Sequence, residues 1–469
     1  MTTLGDGLRD LLGDATAVRD DEMERRAKAR DCWPRLALLD RAGADLPMPD
    51  VVVRPTSTAQ VSAVYRHATA LGIPVTPYAG GSGVVGGAVA TSGGICLDLS
   101  GLSGLVDLDE VSGIATFRAG TPGPAAEEAA AARGFTIGHF PSSIMCSTVG
   151  GWVAARGAGQ LSTRYGKAED MVVALEAVLP TGEVWQTRPA PRTAVGPDLW
   201  RLLAGAEGTL GAITEVTLRL HRSPGERRFG GWLFPDLLAG VDALRGILAT
   251  GAHPAVLRLY DELDTSIVLG GQGLDVGAGA LLVTAVEGDP RLVAAEQQIV
   301  GDLCAGAVDL GTGPGEHWWA HRYDVSANLP RVLAGQLLGP FGFADTIEVA
   351  AVWSRLPAVY RAMRAAMAPH VAVVLAHVSH CYPEGASIYW TIAADAADEA
   401  DALARYDAAW SAAMSACLDA GGSIGHHHGV GTARAQWVAA ELGVGHDVLR
   451  RVKAALDPAG IANPGKLGL

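Results

Sequence analysis

The sequence has neither an apolar run long enough to cross a membrane nor a cluster of basic residues. Its longest apolar stretches, such as Ala278–Val286, are well short of the ~20 residues that a transmembrane helix requires. The net charge of −14 argues against nucleic acid as a partner, because binding phosphates requires clustered Lys and Arg. We therefore expect no integral membrane span and no nucleic-acid partner, while peripheral membrane contact and homodimerisation stay open.

Paired cysteines and targeting signals are also lacking. The chain has no Cys-x-x-Cys motif, and its six cysteines are scattered, a pattern that in a chain of this size favours reduced thiols. The N-terminus shows no apolar core followed by a small-residue cleavage site, and the C-terminus is not a peroxisomal tripeptide. These features predict a cytoplasmic location.

The length of 469 residues, with 49% apolar and 18% charged residues, indicates a globular protein of two domains. The first 30 residues are polar and predict a surface helix. Ser57-x-x-Gln60 is a capping box for a helix that Gly72 ends. The first half is predicted to be α+β, with strands at 50–54, 73–76, 94–100, 113–119, 170–179, 182–186 and 213–220 and a further helix at 124–133.

Beyond residues 222–228 the pattern changes to two strand–helix–strand halves. This order predicts a ferredoxin-like or related domain with an antiparallel sheet covered by helices. The predicted strands are 230–234, 255–260, 281–287, 371–377 and 387–394, and the predicted helices are 236–250, 292–306 and 396–420. The stretch from about 307 to 350 is rich in Gly, Pro and Trp and is predicted to be irregular.

Two glycine-rich turns carry the first functional signal. Closely spaced glycines at Gly80–Gly87, and again at 150–159, allow several backbone N–H groups to converge on a phosphate. Gly81-x-Gly83-x-x-Gly86 formally matches the Rossmann fingerprint, but that motif must open a helix. Here another glycine-dense turn and a strand follow, so we reject the Rossmann interpretation. A flexible hairpin is the simpler alternative for one such turn, but not for several.

Four segments, at 77–83, 141–147, 154–157 and 207–214, resemble the FAD-contacting segments of the vanillyl-alcohol oxidase / p-cresol methylhydroxylase superfamily. The resemblance implies a two-subdomain FAD-binding domain of the p-cresol methylhydroxylase type plus an α+β substrate domain. Some members attach FAD covalently through a histidine at the position of Ser82, so non-covalent FAD is expected here. The implied cofactor-binding residues are Pro77, Tyr78, Ala79, Gly80, Gly81, Ser82, Gly83, Pro141, Ser142, Ser143, Ser147, Thr148, Gly150, Gly151, Ala154, Arg156, Gly157, Glu207, Gly208, Thr209, Gly211 and Ile213.

Within this superfamily the chain is most similar to the alkyl-dihydroxyacetonephosphate synthases. The segments that carry this similarity are 141–156, 386–389 and 423–437. They imply that Tyr389, His426, His427 and His428 are catalytic. Arg258 matches a functional arginine of that family, and Arg331 matches a second one more loosely. The implied reaction exchanges the acyl group of an acyl-glycerone phosphate for an alkyl group through a flavin adduct, without net redox change.

The residue types suit this chemistry. A tyrosine can act as a general acid or base if neighbouring cations lower its pKa from ~10, and histidines exchange protons near neutral pH. Arginine makes paired charge-assisted bonds to phosphate or carboxylate. If 423–430 is extended, His426 and His428 share one face of the strand.

Other interpretations stay open. The histidine run can be a metal site or a polar turn, and His377-x-x-His380 is a second candidate pair of metal ligands. We nevertheless expect no metal, because the 2-hydroxy-acid relatives that use a metal have a histidine at the position of Tyr389. Tyr382 and Trp390 are expected to pack rather than react. Trp318 and Trp319 suit an apolar tunnel and a core equally well.

The predicted domains are a polar helical segment (1–30), an FAD-binding domain (31–222), a substrate domain (223–420) and a C-terminal return to the FAD domain (421–469). We expect the active site where these domains meet. An FAD-dependent oxidase or dehydrogenase of a small alcohol or 2-hydroxy acid is the alternative function. A flavoprotein that only binds a partner is the third, and nothing in the sequence favours it.

Overall fold

The computed structural model describes residues 3–271, 278–324, 331–332 and 335–469. The chain divides into two compact units. The first comprises Met1–Gly157, Lys167–His221 and His427–Leu469, and the second comprises Ala158–Gly166 and Arg222–His426. The functional domain boundaries given above stay a prediction.

The first unit contains a four-stranded and a five-stranded sheet. A mixed four-stranded sheet has the order Val18–Arg19, Val51–Val53, Ile95–Asp98, Val75–Tyr78. An antiparallel five-stranded sheet has the order Leu105–Asp109, Ile114–Arg118, Ala212–Arg219, Val172–Val178, Val184–Gln186. Short strands also lie at Phe135–Thr136 and His221–Arg222. The α-helices span Leu4–Leu12, Glu22–Ala27, Pro34–Arg41, Thr58–Leu71, Gly123–Ala131, Val149–Ala154, Ala168–Met171, Val438–Leu442 and Val444–Leu456.

Local sequence explains several of these boundaries. The hydroxyl of Ser57 accepts a hydrogen bond from the N–H of Gln60 (3.3 Å), and Gly72 ends the helix with φ 66°. The N-terminal prediction was wrong in part, because the segment forms two short helices separated by the strand Val18–Arg19. Val18 is buried in the core, where it pairs with the strand Val51–Val53.

The second unit is built on a seven-stranded antiparallel sheet, which confirms the predicted type of domain. Its strand order is Val308–Asp309, Glu226–Phe234, Ala280–Gly288, Val256–Tyr260, Val373–Tyr382, Gly385–Ala394, Phe343–Val352. Its α-helices span Ser162–Tyr165, Leu237–Ala249, Glu262–Gly271, Pro290–Leu303, Gly313–His321, Leu356–Met367 and Glu399–Asp419. Among the helices in the described ranges, none is both long and apolar enough to cross a membrane.

Long helices cover one face of this sheet. Trp390 is fully buried and stacks on Tyr360 at 5.3 Å between ring centroids, so the prediction that Trp390 packs is confirmed. Asp345 accepts hydrogen bonds from Tyr406 and Trp410 of the longest helix (2.5 and 2.9 Å). Successive residues of a strand alternate between the two faces of the sheet, so the residues next to Trp390 and Asp345 along their strands lie on the opposite face.

We call that opposite side the polar face. Tyr260 pairs with His377, His377 pairs with Tyr389, and Tyr389 pairs with Glu348, so these four residues form one row across four adjacent strands. Arg258, Ser379 and Ser387 lie two residues away from this row on the same face. The members of the polar face are Arg258, Tyr260, Glu348, His377, Ser379, Ser387 and Tyr389.

Three local predictions were wrong. The stretch 307–350 contains the helix Gly313–His321 and the ten-residue strand Phe343–Val352, in addition to residues outside the described ranges. Gly150 and Gly151 lie in the helix Val149–Ala154 rather than in a turn. A Cβ at Gly150 would be 2.5 Å from that of Ala119, so this glycine allows the helix to approach Ala119 closely. The histidine run is a bend rather than a strand, so the alternation argument does not apply to it.

Candidate functional site

The four predicted FAD segments converge in the first unit. A Cβ at Gly80 would lie 1.9 Å from the carbonyl oxygen of Cys146, so the first and second segments touch through their backbones. A Cβ at Gly208 would lie 2.8 Å from Pro77, and the N–H of Glu207 donates to the carbonyl of Ala154 (3.0 Å). Only glycine, which has no Cβ, allows the backbone to approach so closely at Gly80 and Gly208. The geometry therefore suits a cradle, and the contact of each residue with FAD stays a prediction.

The side chains of these segments fix one another. Trp152 Nε1 donates to the Ser147 hydroxyl (2.8 Å), and the Thr209 hydroxyl donates to the carbonyl of Ala206 (2.7 Å). Arg156, at φ 52°, forms an ion pair with Glu169 (2.9 Å). Such bonds hold the backbone of the cradle in one conformation.

His139 is a residue that the sequence interpretation missed. It precedes the second segment, is 1% exposed, and neither ring nitrogen has a hydrogen-bond partner among the described residues. Its ring packs on Trp152 at 4.5 Å, and burial lowers its pKa to about 3. A buried unpaired imidazole is costly, and a polar cofactor beside it would supply the missing bond. The residues present therefore fit FAD.

The C-terminal part of the histidine run is anchored to the fourth FAD segment. The carboxyl group of Glu207 accepts the N–H groups of Val430 and Gly431 (2.6 and 2.7 Å). Burial raises the pKa of Glu207 to about 7, while those two N–H groups act in the opposite direction. The rings of His427 and His428, directly before this anchor, meet edge to face at 4.4 Å. Glu207 thus fixes the loop that presents both histidines.

The polar face of the second unit places Tyr389 against His377. Their rings stack at 4.8 Å, and His377 Nδ1 lies 3.4 Å from an Arg258 nitrogen. Arg258 Nε also donates to the Tyr260 hydroxyl (2.8 Å). Burial, and then the Arg258 cation, hold the pKa of His377 well below its usual value, so its ring stays neutral. His377 was foreseen as a metal-ligand candidate, whereas its geometry is that of a spacer between Arg258 and Tyr389.

Burial raises the pKa of Tyr389, although the Thr346 hydrogen bond and Arg258 oppose this shift. The condition set above, a pKa lowered by neighbouring cations, is therefore not met, because desolvation of a phenolate outweighs the effect of Arg258. A phenol that stays protonated at neutral pH can donate a hydrogen bond or a proton to a bound substrate. The geometry thus favours Tyr389 as the acid rather than as the resting base.

His426 is held by three residues of the second unit, which lie on two of its strands. The Glu348 carboxylate accepts its backbone N–H. The Tyr382 hydroxyl is 3.0 Å from its Nε2, so Tyr382 does more than pack. His380 stacks on His426 at 5.2 Å, and its own Nδ1 is 2.7 Å from the Ser162 hydroxyl. Ser162 was missed because it lies 218 residues before His380 in the sequence, whereas His380 and Tyr382 were considered in other roles.

The two predicted substrate arginines differ in their surroundings. Arg258 is half-buried on the polar face, whereas Arg331 is exposed. Trp318 is buried, and its ring lies 5.9 Å from the Arg258 guanidinium, so both alternatives for this residue, core and apolar tunnel, stay open. Only Arg258 is thus shown beside Tyr389.

Residues 49–188 match the family described as the FAD binding domain, and residues 223–467 match that described as FAD linked oxidases, C-terminal domain. The chain belongs to the FAD-linked oxidase family, and FAD is its cofactor. The predicted fold, a p-cresol methylhydroxylase-type FAD-binding domain plus an α+β domain, is confirmed.

Individual relatives are of two kinds. The alkyldihydroxyacetonephosphate synthase of Trypanosoma brucei brucei is 31% identical, with 93% of this chain and 75% of the relative covered. An uncharacterized FAD-linked oxidoreductase of Escherichia coli, YgcU, is 30% identical, with 98% and 97% covered. A solved alkyldihydroxyacetonephosphate synthase has a TM-score of 0.79 at 25% identity, with 96% and 82% covered. p-Cresol methylhydroxylase shares the fold at a TM-score of 0.78 and 17% identity, with 98% and 95% covered.

Proposed function

We propose that this protein exchanges the acyl group of an acyl-glycerone phosphate for the alkyl chain of a fatty alcohol. The acyl group leaves as a fatty acid, and the alkoxy group takes its place, so no electrons are gained or lost overall. The observation that carries the proposal is Tyr389 stacked on a neutral His377, with Arg258 on the other side of His377. An acid beside a cation suits a substrate that bears both a phosphate and a carbonyl-activated carbon.

The protein's own residues have separate roles in this proposal. Arg258 binds the phosphate, because its guanidinium is already oriented by Tyr260 and His377. Tyr389 donates a proton to the departing carboxylate and recovers one from the alcohol, whose hydroxyl loses its proton as the ether bond forms. The histidines, of which His426 is fixed by Glu348 and Tyr382, take a proton from the substrate and return it. Bound FAD, held by the four segments of the first unit, supplies the reactive ring that the exchange requires.

The test follows both carbon products anaerobically. Purified yellow holoenzyme is mixed with palmitoyl-dihydroxyacetone phosphate and hexadecanol, and mass spectrometry follows free palmitate and the hexadecyl ether. We expect both products, with the flavin spectrum perturbed but not bleached. Tyr389→Phe and His427→Ala should abolish turnover while FAD stays bound. Tyr360→Phe is the matched control, because Tyr360 packs on the helix-covered face. Active Tyr389→Phe protein would contradict the proposal.

An oxidoreductase acting on a small alcohol or 2-hydroxy acid is the second candidate. It is favoured by the similarity to the E. coli oxidoreductase and to the mitochondrial D-lactate dehydrogenase [cytochrome] of Arabidopsis thaliana, which is 26% identical over 90% of this chain and 73% of the relative. Anaerobic bleaching of the flavin by a member of a panel of such compounds would establish it and displace the exchange reaction.

A further inference from the structure

Two serine hydroxyls on the polar face are buried without a hydrogen-bond partner. Ser379 is 5% exposed and Ser387 is fully buried, and neither Oγ has a partner among the described residues. The two residues are directly opposite each other on neighbouring strands. Cβ atoms of such pairs are about 4.5–5.5 Å apart, so the two hydroxyls are close neighbours on one face although they do not bond to each other.

Their position relates them to the candidate site. Ser387 precedes Tyr389 by two residues, and Ser379 follows His377 by two, so this pair neighbours the His377–Tyr389 pair on the same face. The distance along the strands is about 7 Å, which is two residues at 3.4 Å each. The helix-covered face lies on the other side of the sheet, so the apolar core offers these hydroxyls no partner.

Unpaired buried hydroxyls are rare because each forfeits its hydrogen bonds to water. Two of them side by side on the face that carries Tyr389 and Arg258 need an explanation. An apolar role is excluded, because alanine would fill the same positions without the desolvation cost. A ligand oxygen placed between them would bond to both.

We infer that Ser379 and Ser387 form a subsite that binds an uncharged oxygen of the substrate, a hydroxyl or carbonyl group next to the anion held by Arg258. The pair therefore accepts the polar backbone of the substrate and rejects an alkyl chain. This inference rests on the proposed function, which supplies a substrate with such an oxygen beside its phosphate. It adds two specificity residues that the sequence interpretation did not select.

The test measures binding separately from turnover. Dihydroxyacetone phosphate is titrated into the FAD-loaded enzyme and its Kd is read from the flavin absorbance change. Ser379→Ala and Ser387→Ala should each raise Kd about 2- to 12-fold, the loss of one neutral hydrogen bond. Without the probe, the same variants should melt at an equal or higher temperature, because each removes an unpaired buried hydroxyl. Ser266→Ala, at an exposed helical serine, is the matched control.

The two arms separate this inference from the proposed function. Lower melting temperatures with an unchanged Kd would show that the hydroxyls are structural and would overturn the subsite. Failure of the unmodified enzyme to bind dihydroxyacetone phosphate would overturn it as well. A third outcome would refute the exchange reaction alone and leave the subsite supported. In that outcome the unmodified enzyme binds dihydroxyacetone phosphate, both serine variants bind it more weakly, and no palmitate is released from the acylated substrate.

Discussion

Replacing Gly80 by alanine tests whether the cradle of the first unit holds FAD. The new methyl carbon would lie 1.9 Å from the carbonyl oxygen of Cys146 and 2.9 Å from its carbonyl carbon, whereas ordinary contacts begin near 3.4 Å. The obstacle is backbone, so no side chain can rotate away, and the two segments must separate by about 1.5 Å. Overpacking of this kind costs about 1–3 kcal/mol. If the strain falls on the FAD-bound arrangement, Kd for FAD should rise roughly 5- to 150-fold.

The assay is reconstitution of the apoprotein with FAD, followed by quenching of flavin fluorescence. Gly7→Ala in the helix Leu4–Leu12, outside the four FAD segments, is the matched control, because its methyl carbon would meet no neighbouring atom within 4 Å. We expect the control to bind FAD within about twofold of the unmodified protein, since it neither crowds a backbone nor lies in the predicted cofactor cradle. A Gly80→Ala protein that binds FAD as tightly as the control would refute the placement of the cofactor between these segments.

Three further outcomes are expected. Glu207→Ala leaves the N–H groups of Val430 and Gly431 without their acceptor, which costs about 1–3 kcal/mol of stability for each group. This variant should therefore have a lower urea midpoint of unfolding, and an unchanged midpoint would show that other contacts hold the loop. Acid precipitation should release all the flavin into the supernatant, because Ser82 cannot form the histidyl bond, and a yellow pellet would contradict this. EDTA dialysis should leave turnover unchanged. Glu348 and His426 lie within metal-ligand reach of each other, but Glu348 already accepts the His426 N–H, and His426 Nε2 is 3.0 Å from the Tyr382 hydroxyl. Loss of activity restored by a divalent cation would reverse that conclusion.

The predictability of the fold depended on local signals. The helix Thr58–Leu71 was predicted to the residue because Ser57 and Gly72 are unambiguous caps. The strand Phe343–Val352 was missed because Asp345, Thr346 and Glu348 interrupt its apolar pattern. Such polar side chains are tolerated there because residues distant in sequence form hydrogen bonds with them, as Tyr406 does with Asp345. Gly150 suggested a turn, although it serves close helix packing.

The residues of the candidate site also fall into two groups, those that could be identified from the sequence and those that only the structure reveals. Tyr389 and the histidine run were identified from their similarity to a family, and Arg258 likewise. His139, Ser379 and Ser387 could not be identified in this way, because their significance is a missing partner in a folded environment. The direction of the Tyr389 pKa shift could not be predicted either, since it depends on the loss of water around the phenol and on the approach of Arg258, both of which are visible only in the folded structure.

The strand Val373–Tyr382 contains one residue more than its partner, at His380, which has φ 51°. Before it, His377 and Ser379 point to the polar face; after it, Cys381 points to the helices and Tyr382 returns to the polar face opposite Gly385. If the same residues paired in regular alternation, without the extra residue, the Tyr382 ring would lie among the helices and the Cys381 thiol would face the substrate side. Deleting the codon for His380 would leave both side chains on their present faces, because it removes the extra residue itself. Among related genes, a gap at this position should therefore be tolerated better than a gap elsewhere in the strand, which would exchange the faces of the side chains that follow it.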